Sequence, residues 1–154
     1  MARWCRYERV SNGHALLAFD VDNFEDLNAT YGRELGDAVL DVFIQRTTAL
    51  LERWHTTRPG TSSTLVRIGG DEFIIKLHDL GSEPLVEARS IAEAIVEKFA
   101  EPIAAGQATI RTSVSGGAVA TSGDPGLQVL LDEADRLLHE AKKAGRNCAR
   151  VVAV

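Results

Sequence analysis

The stretch "TLVRIGGDEFIIKL", residues 64–77, decides how this chain is read. Two apolar runs of strand character flank Gly69 and Gly70, so the segment predicts a β-hairpin with a tight turn. A turn needs no acids, yet Asp71 and Glu72 follow the glycines at once and precede Phe73, Ile74 and Ile75. Taken alone, a glycine turn with solvated acids accounts for the segment as well as a functional site does. The neighbouring segments have to decide.

Working outward, "HALLAFD" (14–20) is a short apolar run ending on Asp20 and reads as a buried strand. "FEDLNATYG" reads as a short helical turn stopped by Gly32. From Leu35 to Trp54 the residues Leu35, Val39, Val42, Phe43, Leu50, Leu51 and Trp54 follow a helical stripe. "HTTRPGTSS" is a polar loop leading into the hairpin. Residues 83–100 predict a second long helix, with Ser82 as cap and Pro84 in its first turn. "ATIRTSVSGGAVA" (108–120) alternates like one strand, residues 127–143 predict a further helix closed by Gly145, and "CARVVAV" returns as a last strand. Helices separate the strands except at the hairpin, which predicts an α+β sheet with helices packed on it.

Bulk properties exclude several classes. The 154 residues suit one domain with one core. A net charge of -5 without a Lys/Arg block argues against a nucleic-acid partner. No apolar run approaches the ~20 residues of a membrane span and no secretory segment follows Met1, so the expected location is cytoplasmic. Cys5 and Cys148 stand far apart without a CxxC pair, as reduced thiols do. The histidines at 14, 55, 78 and 139 form no ligand spacing, and Trp4 and Trp54 read as packing residues.

If the first strand lies beside the hairpin, Asp20, Asp71 and Glu72 converge at one sheet edge. Carboxylates gathered without basic neighbours raise one another's pKa. A hard divalent cation removes that cost, and Mg2+ is usually held by one or two carboxylates together with substrate phosphates. Gly69 and Gly70, having no side chain, leave room for a substrate to approach the backbone.

"FDVDNFEDLNATYGRELGDAVL" (19–40), "RIGGDEF" (67–73) and "DEADRLLHEAKKAGRN" (132–147) occur in one order at one set of spacings. Together they resemble the GGDEF family of diguanylate cyclases, from about residue 15 to the C-terminus. The resemblance implies a palm-like nucleotidyl-cyclase fold with a central, mainly antiparallel sheet flanked by helices. It also implies condensation of two GTP into cyclic di-GMP with release of two pyrophosphates, across a homodimer, with Mg2+ or Mn2+. On the family pattern Asp20, the Val21 carbonyl, Asp71 and Glu72 fall on metal-binding positions. Glu72 is implicated either there or in activating the attacking 3′-hydroxyl. Backbone N–H groups of Asn23 and Phe24 would cradle phosphate, and Asn28 and Asp37 would read the guanine edge. Lys142 and Arg146 match the triphosphate-binding cations, although a basic helix end complementing its dipole needs no phosphate.

Three departures qualify the likeness. The family opens on a DxLTGLxNR segment and a helix, whereas "MARWCRYERVSNG" (1–13) stands here. Residues 1–13 are therefore read as an N-terminal extension, with that element missing or replaced, and 14–154 as the catalytic domain. The lysine common after the phenylalanine of the first motif is Glu25, and the product-inhibitory RxxD positions hold Gly60 and Ser63. Two other readings stay open: a catalytically weak module that binds GTP or a cyclic dinucleotide, and a minimal palm cyclase of phage defence making another cyclic nucleotide.

Overall fold

The computed structural model describes residues 12–154. Trp4, Cys5 and most of the expected extension lie outside the described residues. The elements run β1 (His14–Val21), α1 (Phe24–Tyr31), α2 (Arg33–Thr57), β2 (Ser62–Gly69), β3 (Glu72–His78) and α3 (Pro84–Phe99). They continue with β4 (Ile103–Ala105), β5 (Ala108–Ile110), β6 (Val114–Thr121), α4 (Leu127–Lys143) and β7 (Ala149–Ala153). Five strands form one sheet in the order β2-β3-β1-β6-β7, antiparallel except for the parallel β6–β7 pair. The expected α+β architecture, a mainly antiparallel sheet flanked by helices, is the one observed.

Several boundaries differ from the sequence reading. The first long helix starts at Arg33 and runs to Thr57, which shortens the polar loop after it. Ser82 caps nothing: the N-cap of α3 is Glu83, without a side-chain cap bond, and Pro84 opens the helix by its fixed φ. The expected strand over 108–120 is two, because β5 pairs only with β4 in a separate ribbon. β6 is buried along its whole length, so the alternation read across 108–120 is not that of a half-exposed strand.

Phe43 of α2 sits at the centre of the core, with ring centroids 4.5 Å from Phe73, 5.2 Å from Phe99 and 6.1 Å from Phe19. Phe19 and Phe73 face each other across the β1–β3 ladder, and the next pair along is Asp20 opposite Glu72. A slip of one residue would turn both rings out of the core. The aromatic cluster therefore fixes the register that brings two acids together. On the other sheet face α4 lies close to β6, because a Cβ at Gly117 would stand 2.1 Å from the Ala134 carbonyl oxygen and 2.4 Å from the Leu138 nitrogen. Lys142 follows one turn after Leu138 and is carried to the end of β1 by that contact.

Candidate active site at the end of the central strand

Asp20 is buried, 6% exposed, between Glu72 on β3 and Ser115 on β6. The hairpin turn comes to it through the Val21 N–H, which donates to the Asp71 carbonyl at 3.4 Å. Arg67, exposed on β2, braces the turn by donating its Nε–H to the Gly70 carbonyl at 2.7 Å. Asp71 is half-buried and Glu72 exposed. The Asp20 carboxyl is pushed up to about 6: burial is the largest cause, and the Asp71 and Glu72 charges add to it against the opposing Lys142.

The acids are not without a basic neighbour, contrary to the sequence reading. Lys142 donates to Asp20 Oδ2 and forms an ion pair with it. The other oxygen, Asp20 Oδ1, is buried with no partner. An orphaned anionic oxygen beside two further acids suits a hard cation. Among the described residues, no three acidic, imidazole or thiol groups are gathered closely enough to hold an ion by themselves. Asp20, Asp71 and the Val21 carbonyl therefore fit a cation that takes its remaining ligands from substrate oxygens and water, as Mg2+ does.

A cleft of about 370 Å³ opens over this edge, lined among others by Asp20, Asn23, Phe24, Glu25, Lys142 and Arg146. Asn23 is left-handed, φ 52° and ψ 38°, and gives α1 no side-chain cap. The first N–H groups of α1, which have no intrahelical acceptors, are thus available to an anion in the cleft. Glu25 is exposed at its rim.

Asn28 and Asp37 separate in character. A Cβ at Gly36 would stand 1.7 Å from Asn28 Oδ1, so glycine at position 36 leaves room for the Asn28 amide in the orientation it holds. That Oδ1 is buried and has no partner. Asp37 lies within α2 rather than at its cap and is exposed. Of the two residues expected at the guanine edge, the one with a buried, unmet acceptor is Asn28.

Sequence reasoning also missed Asp22. Its carboxylate is 6% exposed and accepts from Ser113 Oγ at 2.6 Å, Ser115 Oγ at 2.6 Å and the Asn147 N–H at 3.0 Å. The available signal was the second acid of "FDVD", two residues beyond Asp20. Gly36 had a signal too, since glycine inside a helix weakens it unless a close approach needs it.

The family model described as "Diguanylate cyclase, GGDEF domain" matches residues 2–148. The chain is 34% identical over 139 residues to the diguanylate cyclase DosC of Shigella sonnei, covering 90% of this chain and 28% of that protein. The chain spans just over a quarter of that relative's length. The active GGEEF domain of a diguanylate cyclase from Vibrio cholerae superposes with a TM-score of 0.79 at 25% identity, covering 95% of this chain and 86% of that one. The GGDEF domain of TpbB (YfiN) from Pseudomonas aeruginosa gives 0.78 at 30% identity, covering 91% and 77%. The palm-like cyclase fold is thereby established, and the chain belongs to the GGDEF diguanylate cyclase domain family. Among the described residues no helix is long and apolar enough to cross a membrane.

Proposed function

We propose that this domain condenses two GTP into cyclic di-GMP. In the balanced reaction each 3′-hydroxyl attacks the other nucleotide's α-phosphate, two phosphodiester bonds form, and two pyrophosphates leave. The observation that carries the reading is Asp20 Oδ1, a buried carboxylate oxygen left without a partner beside Asp71 and Glu72. A chain built only to fold, or a retired binding module, has no use for such an arrangement.

Asp20, Asp71 and the Val21 carbonyl would hold a divalent cation, Mg2+ or Mn2+, which when bound polarises the α-phosphate and neutralises the triphosphate. Lys142, which pairs with Asp20 in the metal-free chain, would be free to contact the triphosphate with a cation on Asp20. Arg146 and the backbone N–H groups of Asn23 and Phe24, at the entry to α1, receive the remaining phosphate oxygens. Glu72, exposed at the turn, takes the proton of the incoming 3′-hydroxyl. Asn28 Oδ1 accepts from the guanine donor edge, and Asp37 completes that contact from its exposed position on α2. Each domain offers one such cleft, so ring closure needs a second copy face to face.

Incubation with Mg2+ and equal GTP, ATP, CTP and UTP, with products identified by mass, tests this reading. Cyclic di-GMP is the expected product, with specific activity falling as the protein is diluted. An adenine dinucleotide as main product would move the phage-defence reading to the front, and nucleotide binding without turnover would favour the weak module.

A further inference from the structure

Asp22 occupies a place the reaction chemistry leaves unused. Both its oxygens accept hydrogen bonds within the chain, from Ser113 just before β6, from Ser115 within it and from the turn after α4. Three donors from two other segments of the chain hold the carboxylate in place. What it holds is informative.

The turn after α4 contains two consecutive non-glycine residues in left-handed conformation, Arg146 at φ 66° and Asn147 at φ 48°. Asparagine tolerates that region, whereas arginine adopts it only when its surroundings impose it. Two ties do so. The Arg146 N–H donates back to the Ala141 carbonyl at 3.1 Å, and the Asn147 N–H donates forward to Asp22 at 3.0 Å. The peptide between them is held at both ends, and Arg146 lines the cleft. Asp22 also directly precedes Asn23 and Phe24, and its own N–H is fixed to the Ser113 carbonyl at 2.9 Å.

We propose that Asp22 is a positioning residue that sets Arg146 against the N–H donors of Asn23 and Phe24, so that the β- and γ-phosphates of the nucleotide are gripped from both sides. This rests on the GTP reading above. The carboxylate spans from the strand that carries the metal-binding acid to the turn that carries the cation. Losing it frees the turn to relax, and Arg146 with it, while Asp20, Asp71 and the guanine contacts stay in place.

The test compares equilibrium binding of GTP and GMP, each with Mg2+, to wild type, Asp22→Ala and Asp22→Asn. Wild type should prefer GTP, and Asp22→Ala should lose roughly tenfold to a hundredfold of that preference, as is usual when a buried supporting partner is removed. GMP binding should change little. Asp22→Asn still accepts from the Asn147 N–H, and hydroxyls can rotate to suit it, so most of the preference should return. A residue that merely stabilised the fold would weaken both ligands together. If Asp22→Ala does not fold, Ser113→Ala with Ser115→Ala unties the carboxylate from β6 and should show the same selective loss in weaker form. An unchanged GTP-to-GMP ratio in the folded variants would overturn the inference. Wild-type protein that binds GMP but not GTP would also overturn it, and binding of neither nucleotide would remove the cyclase reading beneath it.

Discussion

The β2–β3 hairpin has two ends, and they are built on opposite rules. At the far end several polar groups are satisfied by other parts of the chain. Arg58 pairs with Glu87 at 2.6 Å and lies over the Trp54 ring, and Trp54 donates its indole N–H to the same glutamate at 3.2 Å. His55 bridges the Thr61 and Ser63 hydroxyls at 2.7 Å each. At the turn end the chain leaves Asp20 Oδ1 buried and unmet and Glu72 exposed. A closed polar cluster stabilises; an open one is waiting for something the chain does not supply. That contrast separates structure from site more sharply than residue type does, since both ends hold acids and cations.

The largest effect should come from the open end. Asp20→Asn and Asp71→Asn should each abolish cyclic dinucleotide formation while the variants remain folded, as shown by unchanged circular dichroism. Full activity in both would mean that the acids are ornament to the turn.

The same Asp20 substitution should stabilise the metal-free protein. The carboxyl ionises near 6 in the fold against a normal value of 3.8, so the folded state binds its proton more tightly than the unfolded one. Stability from this group is therefore greatest at low pH and is lost as pH rises through about 6. Asp20→Asn should gain on the order of 1–3 kcal/mol over wild type at pH 7.5, and the gain should vanish toward pH 4, measured by denaturant unfolding without added metal. A constant difference across that range would point to packing rather than charge.

Much of this was legible in the sequence, for definite physical reasons. The hairpin announced itself through "GGDEF" between apolar runs, and the acid-ended strand through "HALLAFD". Both are local signals of period and turn chemistry. What sequence could not show was which polar atoms find partners across the fold. Lys142 meets Asp20 from 122 residues away, and Asp22 is met by Ser113, Ser115 and Asn147 across separations of 91 to 125. Pairings of that kind depend on the register of β1 against β6 and on how closely α4 approaches Gly117. The split of 108–120 into two strands was hidden for the same reason, because β5 is decided by its partner β4 and not by its own pattern.

Base selection sharpens the contrast on a smaller scale. Asn28 carries the buried unmet oxygen and Asp37 stands exposed, so Asn28→Ala should erode the GTP-over-ATP preference more than Asp37→Ser does. The expected loss for Asn28→Ala is about tenfold, and for Asp37→Ser less, because solvent already serves an exposed carboxylate. Competition assays with equal GTP and ATP would show the order, and the reverse order would return Asp37 to the leading role.

The smallest effect should be at the closed end. With Gly60 and Ser63 in place of the inhibitory motif, the nearest guanidinium along the sequence is Arg58, and it is already paired. Arg58→Ala should leave the shape of product progress curves unchanged and cost ~0.5–1 kcal/mol of stability, as a partly exposed ion pair and a cation–π contact do. Progress curves that stall in wild type and recover in Arg58→Ala would make the closed end a regulatory site after all.

The central claim, that the unmet oxygen of Asp20 marks a cation site completed by the nucleotide, is tested most directly by Mn2+ binding followed by electron paramagnetic resonance. Wild type should bind Mn2+ weakly alone and tightly with GTP present, and Asp20→Asn should lose the GTP-dependent component. Equal GTP-dependent Mn2+ binding by wild type and Asp20→Asn would contradict it.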